Sequence, residues 1–192
     1  MKILHVFKRS FPQSMGGVEQ FIDTLCKSTS AYGIQNNVLS LSTNPSKRII
    51  KLDGYDVHHA KEIFYIGSTG FSLDAYFKFI KLASESDIIH HHYPHPFGDL
   101  LQVSSFIRKP YIVTYHSDIL RQIYLEKIYN PLKYYFLNHS KKIIATSPNY
   151  FITSQILQKY SNKVKVIPLS IPKELHFVNY KKKLDYWKKN LK

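Results

Sequence analysis

Four of the chain's ten histidines stand in one seven-residue run, His90-His91-His92-Tyr93-Pro94-His95-Pro96. Imidazole can ligate a metal, exchange a proton near neutral pH or hydrogen-bond a polar ligand. Alternation along a strand sends His90 and His92 to one face and His91 to the other. The two prolines bend the chain after Tyr93, so His95 need not lie near the others. A zinc site wants three or four ligands in a set geometry, usually with a thiolate or carboxylate nearby. No metal is therefore expected, and the run reads as a hydrogen-bonding loop facing a cleft.

Two further groups carry polar chemistry. Tyr115-His116-Ser117-Asp118, with Arg121 three residues on, offers an imidazole for a sugar hydroxyl and a charged pair to orient hydroxyl or phosphate groups. Met15-Gly16-Gly17-Val18-Glu19 stands where a helix begins. Paired glycines there allow close backbone approach, and the exposed N–H groups favour an anion such as a diphosphate. The same pair equally suits a turn that simply needs glycine, and its spacing is not that of a dinucleotide fingerprint. No GxSxG elbow occurs, and Cys26 falls on an apolar helical stripe, a core position rather than a nucleophile.

The elements that must position these groups alternate. Short apolar runs at 2–7, 36–43, SDIIHHH, PYIVTYH, KKIIATS and VKVIPLS read as strands. RIIKL, YDVHH and EIFYIG read as short extra strands, with GSTGFS a loop. Helical stripes start at Val18 and at Leu73, and further helices are expected over 97–107, about 121–138 with a break or a second helix start at Pro131, and 148–160. Strands separated by helices imply an α/β fold: a single Rossmann-like, doubly wound, mostly parallel sheet with helices on both faces. Ligands in such sheets collect outside the carboxyl ends of the strands, where every polar group named above falls.

The 192 residues allow one domain with a sizeable core. Twenty-seven Lys and Arg against thirteen Asp and Glu give a net charge of +14, which suits an anionic surface or phosphorylated ligands. A single cysteine excludes a disulfide framework, and no long apolar run or signal sequence is seen, so a soluble, reducing compartment is expected. Nucleic acid ranks last among partners, for no RNA-binding strand motif, zinc finger or basic recognition helix accompanies the charge.

In order, the GGVE helix start, DIIHHHYPHP, VTYHSDILRQ, ATSPNY and KVKVIPLSIP resemble the N-terminal domain of a family 4 retaining glycosyltransferase of the GT-B fold, of the type that builds bacterial surface polysaccharide. The resemblance covers Met1 to about Pro172. It implies a glycosyltransferase N-terminal, acceptor-side domain at 1–172, followed by a basic helical tail or linker at 173–192. It implies Gly16 and Gly17 at the diphosphate of a sugar nucleotide and His116 at the donor sugar, important for transfer. His90, His92, Tyr93, Asp118 and Arg121 would face the acceptor, and Ser147 the cleft floor. Ser170 and Pro172 depart from the glycine and acidic residue usual in the family. The donor-binding domain, with the cations that neutralise the departing diphosphate, is not in these residues. The chain is thus expected to be nearly inactive alone and to need that half, in a second chain if not in its own. No cofactor is expected. The acceptor is expected to be a lipid-linked glycan, and the site of action the cytoplasmic, inner face of a membrane. The rival reading is a non-catalytic module that binds an anionic surface or a protein partner.

Overall fold

A computed structural model describes residues 1–46, 48–119 and 123–169, with side chains of the 123–126 segment excepted. Arg121, Ser170, Pro172 and the tail at 173–192 lie outside the described residues.

The elements follow in chain order as β1 (Lys2–Val6), α1 (Gly17–Ser30), β2 (Gln35–Ser42), β3 (Ile50–Leu52), β4 (Tyr55–Lys61), β5 (Phe64–Ile66), β6 (Thr69–Phe71) and α2 (Leu73–Ser84). Then come β7 (Ile88–Tyr93), α3 (Pro96–Ser104), β8 (Tyr111–Tyr115), α4 (Ile123–His139), β9 (Lys142–Ala145), α5 (Pro148–Thr153), α6 (Gln155–Lys159) and β10 (Val164–Val166). Eight strands form one sheet in the order β10-β9-β8-β7-β1-β2-β4-β3, parallel throughout except for the edge pair β3–β4. From β1 the chain builds outward in both directions, so the strand order reverses there and a crevice opens beyond the carboxyl ends of β1 and β7.

The two sides of the sheet are chemically different. Leu4, Val6, Leu39, Ile89, Val113 and Ile143 join α2, α3 and α4 in a large apolar core. The opposite side carries a smaller cluster in which Ile22 and Cys26 of α1 pack on Phe7, Val38, Tyr55 and Val57. Beside that cluster the sheet turns polar: His5, Asn36, His90, His92 and Thr114 are all buried there. Cys26 is fully buried, in keeping with its place on the helical stripe.

Three local expectations are corrected. GSTGFS is not all loop, because Gly67 and Ser68 both take positive φ and turn β5 back on β6 as an antiparallel hairpin. Helix α4 runs on through Pro131. Phe136 and Leu137 of α4 are wholly buried, and that packing outweighs the roughly 3 kcal/mol a proline costs inside a helix. The helix expected over 148–160 is two, since Ser154 turns extended (ψ 114°) and its hydroxyl accepts from Leu157 N to cap α6.

Candidate functional site

The crevice beyond β1 and β7 is built from the residues that sequence singled out, plus several it did not. His116 follows β8 directly and is half-buried, its backbone N–H held by the Tyr93 carbonyl at 3.0 Å. Phe21, one turn into α1, meets His116 edge-on at 5.3 Å between ring centres and His92 at 5.9 Å. The glycine-opened helix and the His116 loop therefore share one side of the crevice.

The strand alternation holds. His90 and His92 stack on the polar side with ring centres 4.4 Å apart, whereas His91 turns into the apolar core and pairs its Nε2 with Gln102 Oε1 at 2.9 Å. His90 Nε2 meets Thr114 Oγ1 at 2.7 Å. His92 is paired on both sides, its Nε2 with His5 Nδ1 at 3.2 Å and its Nδ1 with His116 Nε2 at 3.3 Å. His5 Nε2 closes on Asn36 Oδ1 at 3.2 Å. Burial removes the water that would stabilise an imidazolium, pushing His5, His91 and His116 down to about 4 and His95 to about 3. His90 and His92 are likewise pushed well down, by burial first and then by neighbouring imidazoles, His5 and His116 among them.

Several residues expected to line the cleft do something else. His90, His92 and Tyr93 are 5%, 0% and 1% exposed, so they stand behind the surface instead of forming it. Tyr93 stacks flat on Tyr115 at 4.3 Å. Asp118 was expected to orient an acceptor, yet its carboxylate already accepts from three hydroxyls: Tyr115 at 2.8 Å, Tyr150 at 2.9 Å and Ser154 at 3.3 Å. It ties the His116 loop to α5 and α6. Ser147 is the N-cap of α5, its hydroxyl accepting from Tyr150 N at 3.0 Å.

The glycine pair divides in the same way. A Cβ on Gly16 would lie 2.5 Å from Glu19 Oε2, so this glycine makes room for the chain's own carboxylate. Glu19 folds back over the helix start and accepts from Ser14 Oγ at 2.7 Å, occupying the place an anion favours. Gly17 has no atom within 4 Å of such a Cβ and stays open to close approach.

Residues missed in the sequence complete the crevice. Arg9 pairs with Glu62 at 2.8 Å and donates to the Leu41 carbonyl at 3.0 Å. It edges a polar pocket of about 360 Å³ with Gln13, Ser14, Ser42 and Asn44. Its signal was the KRS that follows β1 at a strand end. Across the molecule, an apolar groove of about 270 Å³ lies between the β5–β6 hairpin, α3 and α4, lined by Ile66, Phe71, Leu100, Ile119, Ile128 and Leu132. Phe64, Tyr65, Leu73 and Phe77 are exposed around the hairpin and α2. Among the described residues no helix is long and apolar enough to cross a membrane.

The fold places the chain among GT-B proteins. The chain matches Anabaena HepE, solved with UDP and glucose, at a TM-score of 0.68 and 15% identity over 98% of this chain and 50% of that one. Sucrose-phosphate synthase from Thermosynechococcus elongatus matches at a TM-score of 0.63 and 15% identity, over 87% and 47%. In sequence, residues 15–175 match the Glycosyltransferase Family 4 profile, and the chain belongs to that family. It is 40% identical to the D-rhamnosyltransferase WbpZ of Pseudomonas aeruginosa over all of this chain and 50% of the relative. It is 37% identical to the O-antigen chain mannosyltransferase C of Escherichia coli, again over 100% of this chain and 51% of the relative. The chain spans about half the length of the curated relatives it matches.

Proposed function

We propose that these residues are the acceptor-side half of a glycosyltransferase that passes a hexose from a sugar nucleotide to a lipid-linked glycan in surface-polysaccharide synthesis. The donor-binding half lies outside them. The observation that carries this reading is the meeting of His116 with the first turns of α1 at the strand-order reversal, in a chain 40% identical to a rhamnosyltransferase. A donor whose diphosphate approaches Gly17 would set its sugar within reach of His116. Gly16 would contribute only once Glu19 swings aside. On this reading the cations that neutralise the departing diphosphate belong to the other half.

The apolar groove and the exposed aromatic residues of the β5–β6 hairpin suit the lipid part of the acceptor. The excess positive charge, with Lys81 and Lys127 exposed on α2 and α4, suits the anionic inner face of the cytoplasmic membrane. Binding there would be peripheral.

The test is transfer of labelled mannose or rhamnose from sugar nucleotides to lipid-linked acceptor in isolated membranes. The protein is assayed alone and with the donor-binding half of a relative supplied. Transfer is expected with both halves and to fall at least a hundredfold with His116→Ala. Transfer that is indifferent to His116, or absent from every combination, refutes the reading.

A further inference from the structure

Asn36 gives the buried histidines a direction. Its Nδ2 donates to the Cys26 carbonyl at 3.1 Å and to Thr29 Oγ1 at 2.9 Å, and that hydroxyl donates in turn to the Leu25 carbonyl at 2.7 Å. Turning the amide over would aim its oxygen at a carbonyl. Oδ1 is therefore the atom facing His5 Nε2 at 3.2 Å, and that nitrogen must carry a hydrogen. A neutral ring carries only one, and burial keeps His5 and His92 neutral near pH 7. His5 Nδ1 is then a bare lone pair, which accepts from His92 Nε2 at 3.2 Å. With its one hydrogen so used, His92 Nδ1 accepts from His116 Nε2 at 3.3 Å. His116 is left with a single lone pair, on Nδ1.

The four residues follow the order of the strands across the sheet: Asn36 on β2, His5 on β1, His92 on β7, and His116 at the end of β8. The inner end is an amide, not a carboxylate; its hydrogen bond favours a charged His5 only weakly against burial, and it supplies no negative charge as the aspartate of a catalytic triad does. The arrangement sets a tautomer and conducts no proton.

We propose that His5 and His92 are positioning residues, which, anchored on Asn36, hold the Nε2–H of His116 inward and leave its Nδ1 to accept a hydrogen bond from a hydroxyl of the donor sugar. This rests on the reading of His116 given above. On this assignment His116 neither protonates the departing diphosphate nor donates to it.

The rival occupant is a divalent cation, because ring nitrogens of His5, His90 and His92 lie within 4.8 Å of one another. Both nitrogens of His5 and of His92 are already paired, however, and His90 Nε2 is on Thr114, so a cation would have to break the chain of hydrogen bonds.

Nitrogen-15 NMR of the histidine-labelled protein at neutral pH reads all of this directly. His5, His92 and His116 are expected as Nε2–H tautomers, with couplings across the hydrogen bonds from His92 Nε2 to His5 Nδ1 and from His116 Nε2 to His92 Nδ1. His5→Gln can present its carbonyl to His92 and its amide hydrogens to Asn36, so it should keep the His116–His92 coupling. His5→Phe cannot, and should mix the tautomers of His92 and His116. In the transfer assay His5→Phe is expected to lower kcat/KM about tenfold, the worth of one hydrogen bond to the donor sugar, while His5→Gln stays within about twofold. An Nδ1–H tautomer at His5 or His92, or stoichiometric zinc binding that shifts the nitrogens of His5, His90 and His92, overturns the proposal. The tautomers report on the positioning chain whatever the enzyme does, and His116→Ala in the transfer assay reports on the role of His116 whatever the tautomers are.

Discussion

Acid should unfold this domain unusually early, and the buried imidazoles set the size of the effect. His5, His90, His91, His92 and His95 are each at most 5% exposed and all are pushed down by burial. A histidine whose folded pKa is depressed contributes stability above its unfolded value of about 6.5, and that stability is lost as the pH falls below it, because the unfolded chain takes up the proton first. Between about pH 7.5 and pH 5.5 the unfolded ring's share amounts to roughly 1.4 kcal/mol for each histidine. Five such groups give about 7 kcal/mol, against a typical total of about 5–15. Self-repulsion of a chain at net +14 acts in the same direction. The assay is urea unfolding followed by circular dichroism at both ends of that interval. A folding free energy that collapses toward zero near the acid end is expected. His91→Gln, which can still pair with Gln102, should recover about 1.4 kcal/mol of the loss. A free energy of unfolding that changes by less than about 2 kcal/mol across the interval would refute the reasoning, since even two of the five rings should exceed it.

Other expectations follow from individual contacts. Asp118→Ala leaves three hydroxyls without their acceptor, one of them on the buried Tyr115, and should cost about 2–3 kcal/mol in the same denaturation assay. If it costs under about 0.5, the carboxylate is not the tie described. Gly17→Ala meets open space and should leave the melting temperature unchanged or slightly raised, while increasing KM for the sugar nucleotide; a melting temperature lowered by several degrees would show that the glycine is needed for the fold. Gly16→Ala should instead displace the Glu19 carboxylate, visible as loss of its hydrogen bond from Ser14 in a crystal structure. Ile66→Asp with Phe77→Asp should weaken sedimentation with anionic liposomes at least tenfold, and unchanged sedimentation would remove the hairpin from the membrane-facing surface.

Much of the architecture was legible because strands buried on both faces read as unbroken apolar runs, and those runs alternate with helical stripes. The split between His91 and its neighbours was equally plain, since it needs only the period of a strand. His5 was not legible as part of the site. It sits in KILHVF like any strand residue, and its partner His92 is 87 positions away, joined to it only by the β1–β7 register. Asn36 escaped for the same reason: an amide at the start of β2 becomes an anchor only when α1 folds over it. The saturation of Asp118 depends on hydroxyls of α5 and of the α6 cap, over thirty residues further on, and no local pattern announces that meeting. Gly67-Ser68 did carry a hairpin signal that the surrounding glycine and serine obscured.

Cys26 lies wholly inside, its thiol held in the protonated form by burial and by the nearby Asp23 charge, and its own carbonyl receives the Asn36 amide. A thiol reagent therefore meets no target on the folded surface, and labelling of the native protein reports the opening of the α1 side of the sheet, as a rate where the reagent outpaces reclosing and as an equilibrium where it does not. The molecule carries its own clock for that event. Because the residue that would be labelled touches the residue that orders the histidines, the clock starts where their alignment ends, and a mutation that loosens the anchor should quicken it before any change in overall melting is seen.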